Sequence, residues 1–377
     1  MDSSQWRELP FARAFEDKTA QAHKVDQDQF LSSGKYPIID QGQSFIAGYS
    51  DHPALVWKGK LPVVIFGDHT RAIKYVDFPF ILGADGAKVL MPNSALWPRF
   101  AYYQLLNFNV PSAGYSRHFK FLKELSLVFP PLPEQQRIAA ILERADRLRR
   151  LRRYALALSA GYLQAVFVEM FGDPVRNSKG WCRRTLRSVS QVFSEGPFGS
   201  DLKSEHYTPS GIRVIRLQNI GVGDLIDDDK AYISEAHFAS LSRHRCQPGD
   251  VIIGTLGDPN LRACILPASI PVALNKADCV QMRVNAKEVN REFACWLLNL
   301  PQTLYLAAGM VHGQTRARIS MGRLAELEVP IAPLALQNEF ASVVHRYERL
   351  RAQQREALRQ AEQLFGALLG RAFRGEL

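Results

Sequence analysis

The chain has no G-x-x-x-x-G-K-[ST] phosphate loop, so it does not encode an ATP-driven motor. A G-x-G-x-x-G cofactor loop following a strand is also missing. It lacks the Asn/Asp-Pro-Pro-aromatic segment with which amino-methyltransferases hold a target amine. The nearest stretch, Gly257-Asp258-Pro259-Asn260, has a single proline. No Gly-x-Ser-x-Gly elbow is present, and no Glu-x-Lys stands downstream of an acidic residue in a defensible nuclease pattern. These absences point to a binding and scaffolding protein without its own catalysis. A dispersed His–Ser–Asp triad is the one arrangement they leave open.

Cysteine is sparse. Cys182, Cys246, Cys264, Cys279 and Cys295 are odd in number, absent from the N-terminal part of the chain and never spaced C-x-x-C. That excludes a disulfide framework and favours reduced thiols. His244 beside Cys246 has no second ligand pair at zinc-like spacing, so no metal is expected. Long apolar runs are missing too. The N-terminus carries acidic residues and no apolar core, unlike a signal peptide. The uncharged run at residues 154–168 is too short for a bilayer, so a cytoplasmic protein without a membrane is expected.

What the chain does have is basic charge and a repeat. The net charge of +10 over 377 residues favours a polyanionic partner. Residues 122–153 and 324–355 align without a gap and match at Leu122/Leu324, Leu125/Leu327, Pro131/Pro333, Leu132/Leu334, Gln135/Gln337, Leu148/Leu350, Arg149/Arg351 and Arg153/Arg355. A period of roughly 200 residues repeats a whole domain with its helix.

The domains behind these matched exits share a pattern. Short apolar runs closed by turn residues, at residues 62–66 and 250–253, predict buried strands in equivalent places. Residues 36–39, 87–90 and 125–129 are further strand candidates. Residues 97–107 and 291–300 predict equivalent short helices. Prolines at 130–133 and 330–333 each predict the start of a long helix. The second helix has a 3-4 apolar spacing through Leu336, Phe340, Val343, Tyr347, Leu350, Ala357, Ala361, Leu364 and Leu368. The first keeps phase through Ile138, Ile141, Ala145, Leu148, Ala155, Ser159, Tyr162 and Val166. Both predict a coiled-coil seam, interrupted at the equivalent positions Arg152 and Gln354, which either form a register-fixing polar layer or snorkel to solvent. The first helix is expected to run unbroken from Pro133 to Met170.

Taken in order, these residues resemble the specificity subunit of type I restriction-modification systems. The likeness rests on Pro131-Leu-Pro-Glu-Gln-Gln-Arg-Ile138, Met170-Phe-Gly-Asp-Pro174 and Ala372-Phe-Arg-Gly-Glu-Leu377. It also rests on Tyr36-Pro-Ile-Ile-Asp-Gln-Gly-Gln43, Ile46-Ala-Gly-Tyr-Ser50, Gly196-Pro-Phe-Gly-Ser200 and Gly211–Asn219. Leu334-Ala-Leu-Gln337 departs from the usual Leu-x-Glu-Gln.

The resemblance implies an α+β fold. Two α/β target recognition domains stand in a pseudo-two-fold arrangement, separated by a long antiparallel two-helix coiled coil. The expected divisions are a first recognition domain (1–130), a first spacer helix (131–172), a second recognition domain (173–332) and a second spacer helix (333–377). It further implies double-stranded DNA, two methyltransferase subunits and restriction subunits as partners. Cofactors are expected on those partners: S-adenosylmethionine, ATP and magnesium, with none in this chain.

Base-edge contacts specify sequence, and phosphate contacts position the protein. Polar and basic loop residues after strands are therefore the candidate DNA contacts. In the first domain these are Asp40, Gln41, His69, Arg71, Tyr115, Ser116, Arg117, His118 and Lys120. In the second they are Ser200, Lys203, Arg216, Gln218, Asn219, Asn275, Lys276, His312, Gln314, Thr315, Arg316 and Arg318. Arg or Lys suits guanine O6 and N7, and Asn or Gln suits adenine N6 and N7. Arg144, Arg147, Arg149, Arg150, Arg152 and Arg153 form a helix-borne cluster with three open roles: phosphate neutralisation, docking of an acidic partner, or simple solvation. The competing function is a free-standing paired DNA-binding regulator.

Overall fold

A computed structural model describes residues 6–108, 110–111, 117–257, 259–313 and 317–377. The chain forms two compact units, residues 1–155 with 355–377, and residues 156–354. Each unit carries a mixed α/β body and a segment of both long helices.

In the first unit a four-stranded antiparallel sheet orders Phe15–Asp17, Ala87–Pro92, Val63–Gly67 and Ile73–Val76. A second sheet orders Lys24–Val25, Ile81–Gly83, Tyr36–Ile39 and Gly48–Ser50, with two parallel pairings and one antiparallel. Arg7–Pro10 pairs antiparallel with Ser126–Phe129 beside the exit to the helix. The strand Val63–Gly67 is buried along its whole length because it serves two cores. Val64 and Phe66 point into a cluster with Phe100, Tyr103 and Leu142, while Val63 and Ile65 point into one with Ile39, Phe80 and Leu82. That is the alternation a pleated strand imposes, and it explains why the run reads as continuously apolar.

The second unit repeats the plan. Ser190–Glu195, Cys279–Val284, Val251–Gly254 and Arg262–Ile265 form its antiparallel sheet. A five-stranded sheet orders Tyr207–Thr208, Ala231–Ile233, Ile212–Ile215, Ala273–Asn275 and Arg245–Cys246. Cys182–Thr185 pairs with Glu328–Ile331 at the exit. The short helices stand where the sequence places them, at Pro98–Asn107 and Arg291–Leu298.

The long helices begin at Leu132 and Leu334, just after the proline junctions. One glutamine in each first turn locks helix to body. Gln135 Oε1 accepts from the Trp97 backbone N–H at 2.7 Å, and its Nε2 donates to the carbonyls of Ala95 at 3.0 Å and Pro130 at 2.9 Å. Gln337 Oε1 accepts from Asn290 N–H at 2.8 Å, and its Nε2 donates to the carbonyls of Ala332 at 2.7 Å and Glu288 at 3.2 Å. Both side chains are almost wholly buried, at 1% and 0% exposure. Each therefore joins the helix start, the strand exit and the approach to the short helix.

Within each unit the two helix segments run antiparallel. In the first unit Arg153 pairs with Glu362 at 2.7 Å, and Arg149 lies over the Phe365 ring at 3.9 Å. Arg137 donates to the Leu377 carbonyl at 2.7 Å. In the second, Phe167, Phe171, Phe293 and Phe340 pack with centroids 4.6–5.5 Å apart. Full burial of each such ring is worth about 1.5–3 kcal/mol.

The buried stripe differs from the expected seam. Leu148, Leu350 and Leu364 are 40%, 54% and 48% exposed, and Ala139, Leu142, Ala341, Val344 and Phe365 are buried instead. Each helix end packs against its own body as well as the other helix, which rotates the stripe off the simple 3-4 line. The first helix is also interrupted. It runs Leu132–Leu158, passes through a 3₁₀ turn at Ser159–Gly161 and resumes over Tyr162–Phe171. Serine and glycine are weak helix formers, and the Tyr347 hydroxyl donates to the Ser159 carbonyl at 2.6 Å. Gly172, at φ 80°, then closes the helix, its N–H donating to the Val168 carbonyl at 2.8 Å.

Gln337→Ala is expected to destabilise its unit by about 3 kcal/mol, because it leaves buried backbone groups unpaired. Chemical denaturation followed by circular dichroism reads this as an earlier transition. An unchanged midpoint would remove the glutamine from its anchoring role.

Candidate nucleic-acid interface

In the first unit, the strand Tyr36–Ile39 releases a loop that returns as Gly48–Ser50, and the turn at residues 68–72 lies against it. His69 N–H donates to Gln41 Oε1 at 3.2 Å, Gln43 Nε2 donates to the Thr70 carbonyl at 3.2 Å, and the Thr70 hydroxyl donates to the Gln41 carbonyl. Gly86, at φ 73°, closes the same corner. A Cβ there would stand 2.5 Å from Gln41 Oε1 and 2.9 Å from His69 Cδ2.

Lys74 projects from the strand Ile73–Val76 into this loop and is only 4% exposed. Its Nζ donates to the carbonyls of Asp40 at 2.9 Å and Ser44 at 2.6 Å, and pairs with Asp40 Oδ1 at 3.3 Å. Burial pulls the lysine below its ordinary pKa, against the opposing charge of Asp40. Nearby, Asp68 Oδ1 accepts from Phe119 N–H at 2.7 Å, and its carbonyl accepts from His118 N–H at 2.8 Å. Arg71, at φ 61°, donates to the Val110 carbonyl at 3.0 Å. The loop at 40–44, the turn at 68–72, Val110 and His118 are thus tied together.

The second unit assembles the equivalent loops with different chemistry. After Ile212–Ile215, Asn219 is fully buried. It donates to the carbonyls of Ile226 at 3.0 Å and Asp229 at 2.8 Å and accepts from Arg216 N–H at 3.0 Å. Gln218 donates to Asp229 at 2.9 Å and Arg216 pairs with it at 2.7 Å; together they hold that carboxyl below its usual pKa. Arg216 and Lys276 both stand over the Tyr207 ring, at 6.0 and 5.4 Å.

Arg262, on the strand Arg262–Ile265, donates from Nε to the Ile220 carbonyl at 2.7 Å and from its two terminal nitrogens to Leu217 at 3.0 Å and Pro259 at 2.9 Å. Arg318 bridges Glu195 at 3.0 Å and Asp278 at 2.8 Å, with its guanidinium 5.1 Å from the Phe198 ring. Burial raises the Glu195 pKa, and the Arg318 charge opposes that rise. His244 Nδ1 lies 2.6 Å from the Glu195 carbonyl, and burial lowers its pKa.

The expected DNA contacts therefore divide by exposure. Arg71, Arg117, Lys120, Ser200, Lys203, Gln218 and His312 are exposed, and Asp40, Gln41, His69, Arg216, Lys276 and Arg318 are half-buried. His118, Asn219 and Asn275 are buried, and their side chains bind backbone: His118 Nδ1 lies 2.9 Å from the Asp68 carbonyl, and Asn275 Nδ2 donates to the Cys279 carbonyl at 2.7 Å. Tyr115, Ser116, Gln314, Thr315 and Arg316 lie outside the described residues.

In the arginine cluster, Arg149 and Arg150 pair with buried Asp146, and Arg153 with Glu362. Arg144, Arg147 and Arg152 are exposed. Sequence reasoning passed over Lys74, Arg262, Glu195 and Asp229. The available signal was a cation inside an apolar strand, in Ile73-Lys-Tyr-Val76 and Arg262-Ala-Cys-Ile265. Among the described residues no group of three or more His, Cys, Asp or Glu could hold a metal ion.

Residues 18–155 match the family model of the type I restriction modification DNA specificity domain. No curated protein matches the chain in sequence. In fold, the chain is similar to a type I restriction-modification S subunit from M. genitalium, with a TM-score of 0.62 and 17% identity over 98% of this chain and 96% of that one. It is also similar to a chain from a structure concerned with complex assembly and conformational transition of the type I R-M system, with a TM-score of 0.56 and 17% identity over 99% of both. At such identity the likeness is one of fold, and it runs the length of both chains. Residues 18–155 thus resemble a type I restriction modification DNA specificity domain, and the whole chain shares the fold of these S-subunit structures.

Proposed function

We propose that the chain supplies the DNA address of a type I complex, each recognition domain reading one half of a bipartite, asymmetric target. The supporting observation is the duplicated glutamine anchor, Gln135 and Gln337, carrying loops of unlike chemistry. Equal mounts with unequal loops suit two unequal half-sites.

The domain divisions at 130, 172 and 332 belong to this proposal, and so does an antiparallel coiled coil that sets the gap and docks two methyltransferase subunits. Restriction subunits join for cleavage. Catalysis, with S-adenosylmethionine, ATP and magnesium, resides on those partners, and this chain contributes none. A cytoplasmic location follows from that role. By length and composition one helical stretch, Leu132–Phe171, could cross a membrane, contrary to expectation. Its Leu163, Phe167 and Phe171 are instead buried in the core of the second unit.

Methylome sequencing of the host with and without the gene tests the proposal. One asymmetric motif, split by an unread gap, is expected to lose methylation on deletion. A methylome indifferent to the gene would exclude the role, and tight binding to a bipartite site without partners would favour the regulator.

Exposed cations on the loop face should act through phosphates. Arg117→Ala and Lys203→Ala are each expected to weaken DNA binding of the complex alike on all sequences and to reduce the salt slope of log K by about one. Titration at several salt concentrations reads both effects.

A further inference from the structure

We infer that Lys74 and Arg262 are positioning residues for DNA specificity, each setting the loop through which its unit reads one half-site. This deepens the proposed function and rests on it. Neither residue is a candidate base contact, since Lys74 is buried and Arg262 is consumed by backbone carbonyls.

The two occupy corresponding strands. Lys74 stands on the second strand of the hairpin Val63–Gly67/Ile73–Val76, opposite Ile65. Arg262 stands on the second strand of the hairpin Val251–Gly254/Arg262–Ile265, opposite Gly254. If the hairpins are aligned on Gly67 and Gly254, the positions differ by two residues, which keeps them on one face of the pleat.

Both cations reach the loop that leaves the strand with a parallel neighbour, Tyr36–Ile39 in one unit and Ile212–Ile215 in the other. Each spans two carbonyls of that loop, Asp40 and Ser44 or Leu217 and Ile220. A cation holding two carbonyls four or three residues apart fixes the curvature of the loop between them. That span contains Gln41 in the first unit and Gln218 and Asn219 in the second. The same function is thus served twice, by different residue types at different registers.

A base-reading side chain must meet its base edge within hydrogen-bond tolerance, so slack in the loop costs discrimination before it costs general affinity. Phosphate contacts made elsewhere persist, which separates a positioning role from a purely structural one.

The test uses the full chain assembled with its methyltransferase subunits. Methylation kinetics are measured on the cognate target and on targets with single base changes in either half. Lys74→Met is expected to lower kcat/KM on the cognate target by about tenfold, the order of one lost base contact. It should relax discrimination in one half-site only and leave the salt slope unchanged. Arg262→Met should do the same for the other half, and Lys74→Arg should recover most of the loss. Amide hydrogen exchange of each variant is expected to quicken at residues 40–46 or 216–226 alone.

Equal loss of discrimination in both halves, or unaltered discrimination with unaltered loop exchange, would overturn the inference. If Lys74→Met fails to fold, Arg262→Lys, which keeps the charge but loses the three-nitrogen fork that spans Leu217, Ile220 and Pro259, carries the same readouts. A wild-type complex that methylates no bipartite target sinks the proposed function instead, and the exchange arm still decides whether these cations hold their loops.

Discussion

A buried primary amide at the root of each long helix is the constraint on which the rest of each unit depends. Gln135 and Gln337 spend both ends of the amide on backbone, accepting one N–H and donating to two carbonyls. Those three partners belong to two segments outside the helix that carries the glutamine. The helix axis, the exit of the last strand and the approach to the short helix are therefore fixed relative to one another by a single side chain. A buried amide left unpaired is costly, so the geometry is held from both directions: the body satisfies the glutamine, and the glutamine satisfies the body.

Much of this was legible in the sequence, and the reason is physical. The matched pairs Pro131/Pro333, Leu132/Leu334 and Gln135/Gln337 lie at the anchor, where the same backbone problem is solved twice. The strands Val63–Gly67 and Val251–Gly254 were visible because burial on two faces forces an unbroken apolar run. The helix seam was harder. A 3-4 pattern reports that a helix buries a stripe, but not how much of it faces a sheet rather than another helix. Leu148, Leu350 and Leu364 fell on the wrong side of that division. The interruption at Ser159–Gly161 is taken up by Tyr347, nearly two hundred residues away along the chain. Local spacing does not report such a partner.

The loops were the least legible part for the same reason. Whether Asp40 or Asn219 faces a ligand or its own backbone depends on Lys74 and on the carbonyls of residues 226 and 229. Composition picked out polar residues that gather after strands, yet it could not separate those that hold the loop from those left over. Much of the charge on these faces is committed internally, as with Arg216 to Asp229 and Arg318 to Glu195 and Asp278. The net positive charge thus overstates what each face offers a polyanion.

The hairpin cations bind their loops almost entirely through main-chain carbonyls, and Arg262 does so without exception among the contacts described. An anchor of this kind is blind to the side chains it holds. Residues between the anchored carbonyls can drift, or be replaced as a block of the same length, without disturbing what holds them. Insertion of one residue would move the carbonyls out of reach. Such a loop tolerates rewriting of its letters far better than a change in their number, so the chemistry it displays can be renewed on an old frame.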